Sequence, residues 1–148
     1  MTQEQKELLI KDLCARLDTN LVCSIYRIDD YGVGYRDEIL NGYCKGDIWD
    51  EFYFGDDCGI GIDNVSKIKP YLFPLSRLNN LTEEQRKTLK VLCDWNDEEA
   101  DAQSILVLYQ KHFVMKTDVI DWLNENHFDY RGLIEKGLAI DATGKNVY

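Results

Sequence analysis

Apolar residues recur every three to four positions near both ends of the chain and alternate with polar ones in the middle. Leu9, Leu13 and Leu17, joined by Ile10 and Cys14, form one stripe among Gln, Lys, Asp and Arg. Thr2 and Gln5 have the T-x-x-Q spacing of a capping box, in which each residue satisfies the other's backbone N–H. Asp18-Thr19-Asn20 is a breaker cluster. The pattern predicts a helix over 1–18 whose leucines pack on a sheet.

From Leu21 the texture is that of strands. Leu21 to Ile28 is rich in branched and aromatic residues and is bounded by Asp29-Asp30. Tyr31, Val33 and Tyr35 alternate with Gly32 and Gly34, and Ile39-Leu40 precede Asn41-Gly42, read as a turn. Ile48 to Phe54 reads as another strand closed by Gly55-Asp56-Asp57, and Ile60 and Ile62 alternate with glycines before Asp63-Asn64. Short strands with tight turns over 21–66 predict a small twisted antiparallel meander, for which an SH3-like barrel is one closure. Glycines within the strands suit the bulges and bends of such a sheet. Pro70 and Pro74 bracket Tyr71-Leu72-Phe73 and disfavour helix before them, so 67–81 is expected to be an extended connector.

Helical spacing then returns. Thr82 and Gln85 form a second T-x-x-Q box ahead of Leu89 and Leu92, in a helix expected to reach Trp95. Ala100 to Phe113 carries a broad apolar face, and Thr117 or Asp118 is the expected cap of a helix with Val119, Ile120, Trp122 and Leu123. Arg131 to Lys136 reads as a last short helix stopped by Gly137, and Leu138-Ala139-Ile140 as an extended edge. Helix, then strands, then helices over 82–137 make an α+β fold, expected as a single domain over 1–148.

Composition narrows the class. An apolar share of 45% excludes a disordered chain. Five cysteines at irregular spacing, without a C-x-x-C pair, argue against a disulfide framework and for buried free thiols. No apolar run approaches the roughly 20 residues of a membrane span, and Met1 to Glu7 is polar, so no membrane is expected and the cytoplasm is the expected compartment. Net charge is −10, with −5 in residues 1–78 and −5 in 79–148, and no basic cluster. Direct binding of nucleic acid, which draws on clustered Lys and Arg, is therefore not expected.

The motifs that carry chemistry are incomplete. Gly59-Ile60-Gly61 and Gly32-Val33-Gly34 lack the third glycine of G-x-G-x-x-G and the long helix behind it, and turn glycines account for both. Asp94 to Asp101 opens like a calcium loop, but Glu99 and Ile105 occupy the positions that require Gly and Glu. Acids at a helix start favour the macrodipole, which explains that run more simply. His112 and His127 are the only histidines, and neither has a second His or a Cys at zinc-site spacing. A cysteine with His127, oriented by Asp129, is a nucleophile–base set that only the fold can assemble. No metal and no cofactor is expected. Carboxylate pairs such as Asp29-Asp30, Asp37-Glu38, Asp50-Glu51 and Asp56-Asp57 point to opposite faces wherever they lie on strands.

One pattern exceeds background. From Asp47 to Asp63 there are six acids and no base, interleaved with Trp49, Phe52, Tyr53 and Phe54. Aromatic area with steering carboxylates suits a basic protein partner, and Trp49, Asp50, Glu51, Tyr53, Asp56 and Asp57 form the candidate interaction surface. The plainer account is alternation along a half-buried strand, with rings in the core and acids in water.

Asn126 to Thr143, Ile68 to Ser76 with Leu81 to Gln85, and Lys11 to Leu17 resemble the ending, central segment and first helix of a group of small proteins of gut Bacteroidota and their prophages. The match covers about half the chain and is weaker from Tyr31 to Gly61. The resemblance implies a bacterial or phage intracellular protein and carries no established activity or catalytic residue. The reading is a non-enzymatic accessory or protein-interaction protein. Its alternatives are an acidic DNA mimic that inhibits a nucleic-acid-binding protein, and a small enzyme whose site is assembled only in the fold.

Overall fold

The computed structural model describes residues 1–29, 32–45, 50–55, 58–95, 101–102, 104, 106–107 and 115–148. They form an α+β fold with an N-terminal helix, a six-stranded mixed sheet and C-terminal helices. The chain divides into two compact units, Met1–Leu72 with Arg131–Tyr148, and Phe73–Tyr130.

In the first unit, α1 (Gln3–Cys14) starts with the predicted box: the Gln5 N–H donates to Thr2 Oγ1 at 3.2 Å and the Thr2 N–H to Gln5 Oε1 at 2.9 Å. The helix stops at Cys14, short of the breaker triplet, because Arg16 turns under it. The Arg16 N–H bonds the Leu13 carbonyl, and the Thr19 hydroxyl bonds the Arg16 carbonyl at 2.9 Å. Arg16 Nε reaches Asp12 Oδ2 at 2.9 Å, and Arg131 Nη1 reaches Asp12 Oδ1 at 2.6 Å from 119 residues away. Asp12 and Arg16 are both fully buried.

The sheet comprises β1 (Val22–Asp29), β2 (Gly32–Lys45), β3 (Asp50–Phe54), β4 (Cys58–Gly61), β5 (Ile68–Leu72) and β6 (Ile140–Asp141) in the order β4-β3-β2-β1-β5-β6. It is open, with β4 and β6 at its edges, so the strands do not close into an SH3-like barrel. Nor is it purely antiparallel, since β6 joins β5 in parallel. Two segment readings are corrected. Asn41-Gly42 is not a turn: β2 runs through it with a register shift between Leu40 and Gly42, and the Asn41 side chain donates to the Gly55 carbonyl. The proline-bracketed stretch is extended, but as β5 inside the sheet and not as a connector. Pro70 is tolerated because β6 pairs only with Tyr71 and Leu72, so no β6 partner stands opposite the missing N–H.

The core of this unit lies between α1 and one sheet face: Leu9 and Leu13 against Cys23, Ile25, Phe52, Phe54 and Ile68. The expected helix over 131–136 is instead a run of turns, because Gly132 sits at φ 69°, outside the right-handed helix. Gly137, at φ 68°, does end it, with the Leu138 N–H on the Leu133 carbonyl.

In the second unit, a 3₁₀ stretch (Leu75–Asn80) leads to α2 (Glu83–Leu92), and α3 (Thr117–Glu125) follows. Leu78, Leu89, Val119, Leu123 and Phe128 form its core, with Trp122 stacked on Phe128 at 5.8 Å. The cap of α3 is Lys116, without a side-chain bond, rather than Thr117 or Asp118. The apolar helix read from Ala100 to Phe113 falls mostly outside the described residues, with Ala102, Ser104, Leu106 and Val107 helical. The second box is formed, with the Gln85 N–H on Thr82 Oγ1 at 3.2 Å. Gln85 Nε2 then bonds Asn126 Oδ1 at 3.0 Å, which ties the start of α2 to the end of α3. Thr82→Ala should therefore cost about 1 kcal/mol, and Thr82→Ser almost nothing. Thermal unfolding followed by tryptophan fluorescence decides this, and equal midpoints for wild type and Thr82→Ala would contradict the cap.

Candidate protein-interaction surface

The β1–β2 hairpin reverses the usual sense of strand alternation. In β2, Val33, Tyr35 and Ile39 alternate with Gly34, Arg36 and Glu38, and a half-buried strand of this pattern ordinarily turns its apolar side to the core. Here the polar set is the half-buried one. Val33 is 65% exposed, Tyr35 65% and Ile39 44%, and Ile28, the cross-strand partner of Val33, is 73% exposed.

Pairing accounts for the inversion. Cys23 and Ile25 of β1 enter the core, so their cross-strand partners Glu38 and Arg36 are carried to that same side. The charge brought inward is met there: Arg27 Nη2 bonds Glu38 Oε2 at 2.5 Å, each side chain about one-fifth exposed. The other side then receives Ile28, Val33, Tyr35 and Ile39, with Tyr26 set edge-on to Tyr35 at 5.2 Å between ring centroids.

Among the described residues, the distal part of this hairpin has no flanking strand. β5 pairs with β1 only over Cys23–Ile25, and β3 pairs with β2 only from Leu40 onward. Tyr26–Asp29 and Gly32–Tyr35 thus form a two-stranded arm whose outer backbone edges are unpaired among the described strands. A two-stranded ribbon is marginal alone in water, and its free edges can template pairing with another chain.

The acid–aromatic surface read from the sequence is divided. On β3, Asp50 faces inward and accepts from the Tyr43 hydroxyl at 2.7 Å, a bond that pushes the phenol up to about 12. Glu51 and Tyr53 face outward together, with the Tyr53 hydroxyl on Glu51 Oε2 at 3.2 Å, which raises that phenol too. Phe52 and Phe54 are core. Asp63 is drawn off by Lys6 at 2.9 Å. Trp49, Asp56 and Asp57 lie outside the described residues. Of the six candidates, the described ones leave Glu51 and Tyr53 together and set Asp50 on the opposite face. The outward residues Ile28, Val33, Tyr35 and Ile39 of β1 and β2 were missed, although Val33 and Tyr35 are visible as an alternating pair. The missing signal was direction, since alternation gives two faces without saying which is wet.

The enzymatic candidates are also placed. Cys14, Cys23, Cys44 and Cys93 are free thiols. Burial pushes the Cys23 thiol up strongly and the Cys93 thiol to about 11, away from the thiolate a nucleophile needs. His127 and Asp129 are buried in the turn after α3, where the His127 backbone is left-handed at φ 57° and its carbonyl accepts from the Phe73 N–H at 2.8 Å. His112 lies outside the described residues. Among the described residues no group of three or more His, Cys, Asp or Glu could hold a metal ion, and no helix is long and apolar enough to cross a membrane. Comparison with protein-family models, with curated proteins and with solved structures finds no match to this chain.

Proposed function

We propose that the protein is a non-enzymatic interaction module whose β1–β2 arm docks on a basic protein partner. The observation that supports this is the inverted strand: Ile28, Val33 and Tyr35 stand in water on one face of an arm with unpaired edges, and Ile39 continues that face along β2. Contiguous exposed apolar surface of this kind marks association sites. The occupant follows from charge. A chain at −10 repels its own copies, whereas a partner of opposite charge is steered toward it. Beside the arm, on the same outward side of the sheet, Asp37 accepts from the Tyr71 hydroxyl at 3.0 Å and Glu51 from the Tyr53 hydroxyl. Both carboxylates add negative charge at the rim of such a contact. The resemblance of the two ends and the central segment to small Bacteroidota and prophage proteins agrees with an accessory role.

A photo-crosslinking residue at Val33, with the same residue at Gln3 on α1 as control, tests this in cells that make the protein. The expected result is one basic protein joined through Val33 and not through Gln3. Titration of that purified protein should then weaken at least tenfold for the Ile28→Ser/Val33→Ser variant, about 1.4 kcal/mol, and weaken further with salt. A cross-linked homodimer, or affinity unchanged by the double variant, would overturn the proposal.

A further inference from the structure

The second unit holds a cleft of about 220 Å³ between the 3₁₀ stretch and the end of α3. Its floor is built by the two aromatics that the chain brings together there, Phe73 and Phe128, bridged side by side with ring centroids 6.4 Å apart. Arg77 lies over Phe73, its guanidinium carbon 3.7 Å from the ring centroid. A guanidinium held over a ring keeps N–H groups with which to take a carboxylate through two parallel hydrogen bonds. No hydrogen bond or ion pair joins the Arg77 side chain to a described residue, in a chain with 27 acids against 17 bases.

Two other polar side chains of the cleft, Gln85 and Asn126, are already committed. Gln85 Oε1 accepts from the Thr82 N–H at 3.0 Å, and Gln85 Nε2 donates to Asn126 Oδ1. Asn126 Nδ2 donates to the Trp122 carbonyl at 2.9 Å. That side of the wall is thereby fixed while the cation is left to act. Glu125 also lines the cleft, and a second negative charge on a ligand would meet it. Leu81, Phe73 and Phe128 provide apolar surface for the body of the ligand.

We infer that this cleft binds a small monocarboxylate with an aromatic or apolar body, its carboxylate paired with Arg77 and its body against Phe73 and Phe128. The volume equals about seven waters at ~30 Å³ each, room for a ligand the size of benzoate. The site is independent of the docking arm.

Titration of the whole ¹⁵N-labelled chain with sodium benzoate, sodium acetate and inorganic phosphate tests the inference. Benzoate should give saturable shifts at the Arg77 Nε–H and the Phe128 amide, at least tenfold tighter than acetate or phosphate. Arg77→Gln should weaken benzoate at least tenfold with the remaining amides unmoved. Arg77→Lys, which keeps the charge and loses the fork, should fall between the two and serves if Arg77→Gln does not fold. Absence of saturable shifts, phosphate binding as tight as benzoate, or full benzoate affinity in the Arg77 variants would each overturn it.

Discussion

Asp12→Ala is expected to destabilise the protein by about 3–5 kcal/mol, because it strips a buried cation of its carboxylate. Arg16 is wholly enclosed, and Asp12 meets it with Oδ2 at 2.9 Å and Oδ1 at 3.3 Å. Removal of the acid leaves that enclosed charge without the carboxylate that meets it. Arg131, at 14% side-chain exposure, can still reach solvent, so the cost falls mainly on Arg16. The cation, more than the lost bonds, sets the penalty. The double variant Asp12→Ala/Arg16→Met should therefore recover most of the loss, since an apolar replacement of a buried pair is often neutral. Urea unfolding followed by circular dichroism measures both. A single-variant cost under about 1 kcal/mol would place Arg16 in contact with water, contrary to its burial.

This buried pair also marks the limit of what the sequence discloses. The stripe of Leu9 and Leu13 and both T-x-x-Q boxes were legible because their partners lie within one or two helical turns. Strand composition was equally local: β1 and β3 fall where branched and aromatic residues cluster, and β4 where Ile60 alternates with glycines. Arg131 on Asp12 spans 119 residues, and no local rule reaches it. The prolines gave an extended connector over 67–81, and only the strand order shows that Ile68–Leu72 is a strand and that β6 stops short of Pro70. Gly132 passed as a helical residue because a positive φ leaves no trace in composition. The candidate surface nonetheless grouped Asp50 with Glu51, although strand alternation already separates such pairs. Asp50 and Glu51 are neighbours that point to opposite faces, and Asp37 and Glu38 repeat the lesson on β2. The arm is the converse: its apolar residues alternate as a buried strand's would, and only the pairing of Glu38 with Cys23 turns them outward.

The same alternation sets the second large effect, on β3. Phe52→Ala is expected to cost about 3–5 kcal/mol, the transfer free energy of a phenyl ring together with the cavity left behind. Phe52 is 0% exposed and lies against Tyr43, with ring centroids 5.1 Å apart. Tyr53→Ala, one residue along, should cost under about 1 kcal/mol, because an exposed strand position loses mainly its cross-strand packing. Its hydroxyl bond to Glu51 is exposed and adds little. A shift of one residue in the β2–β3 register would exchange the two faces and reverse the order of these costs. The register shift at Leu40/Gly42 is what holds Phe52 and Phe54 on the core side together with Tyr43 and Leu40. Urea midpoints for the two alanine variants, at equal slope, therefore test the bulge as well as the core. Equal costs for Phe52→Ala and Tyr53→Ala would mean that β3 is buried on both faces, and Glu51 and Tyr53 would then be lost as part of any outward surface.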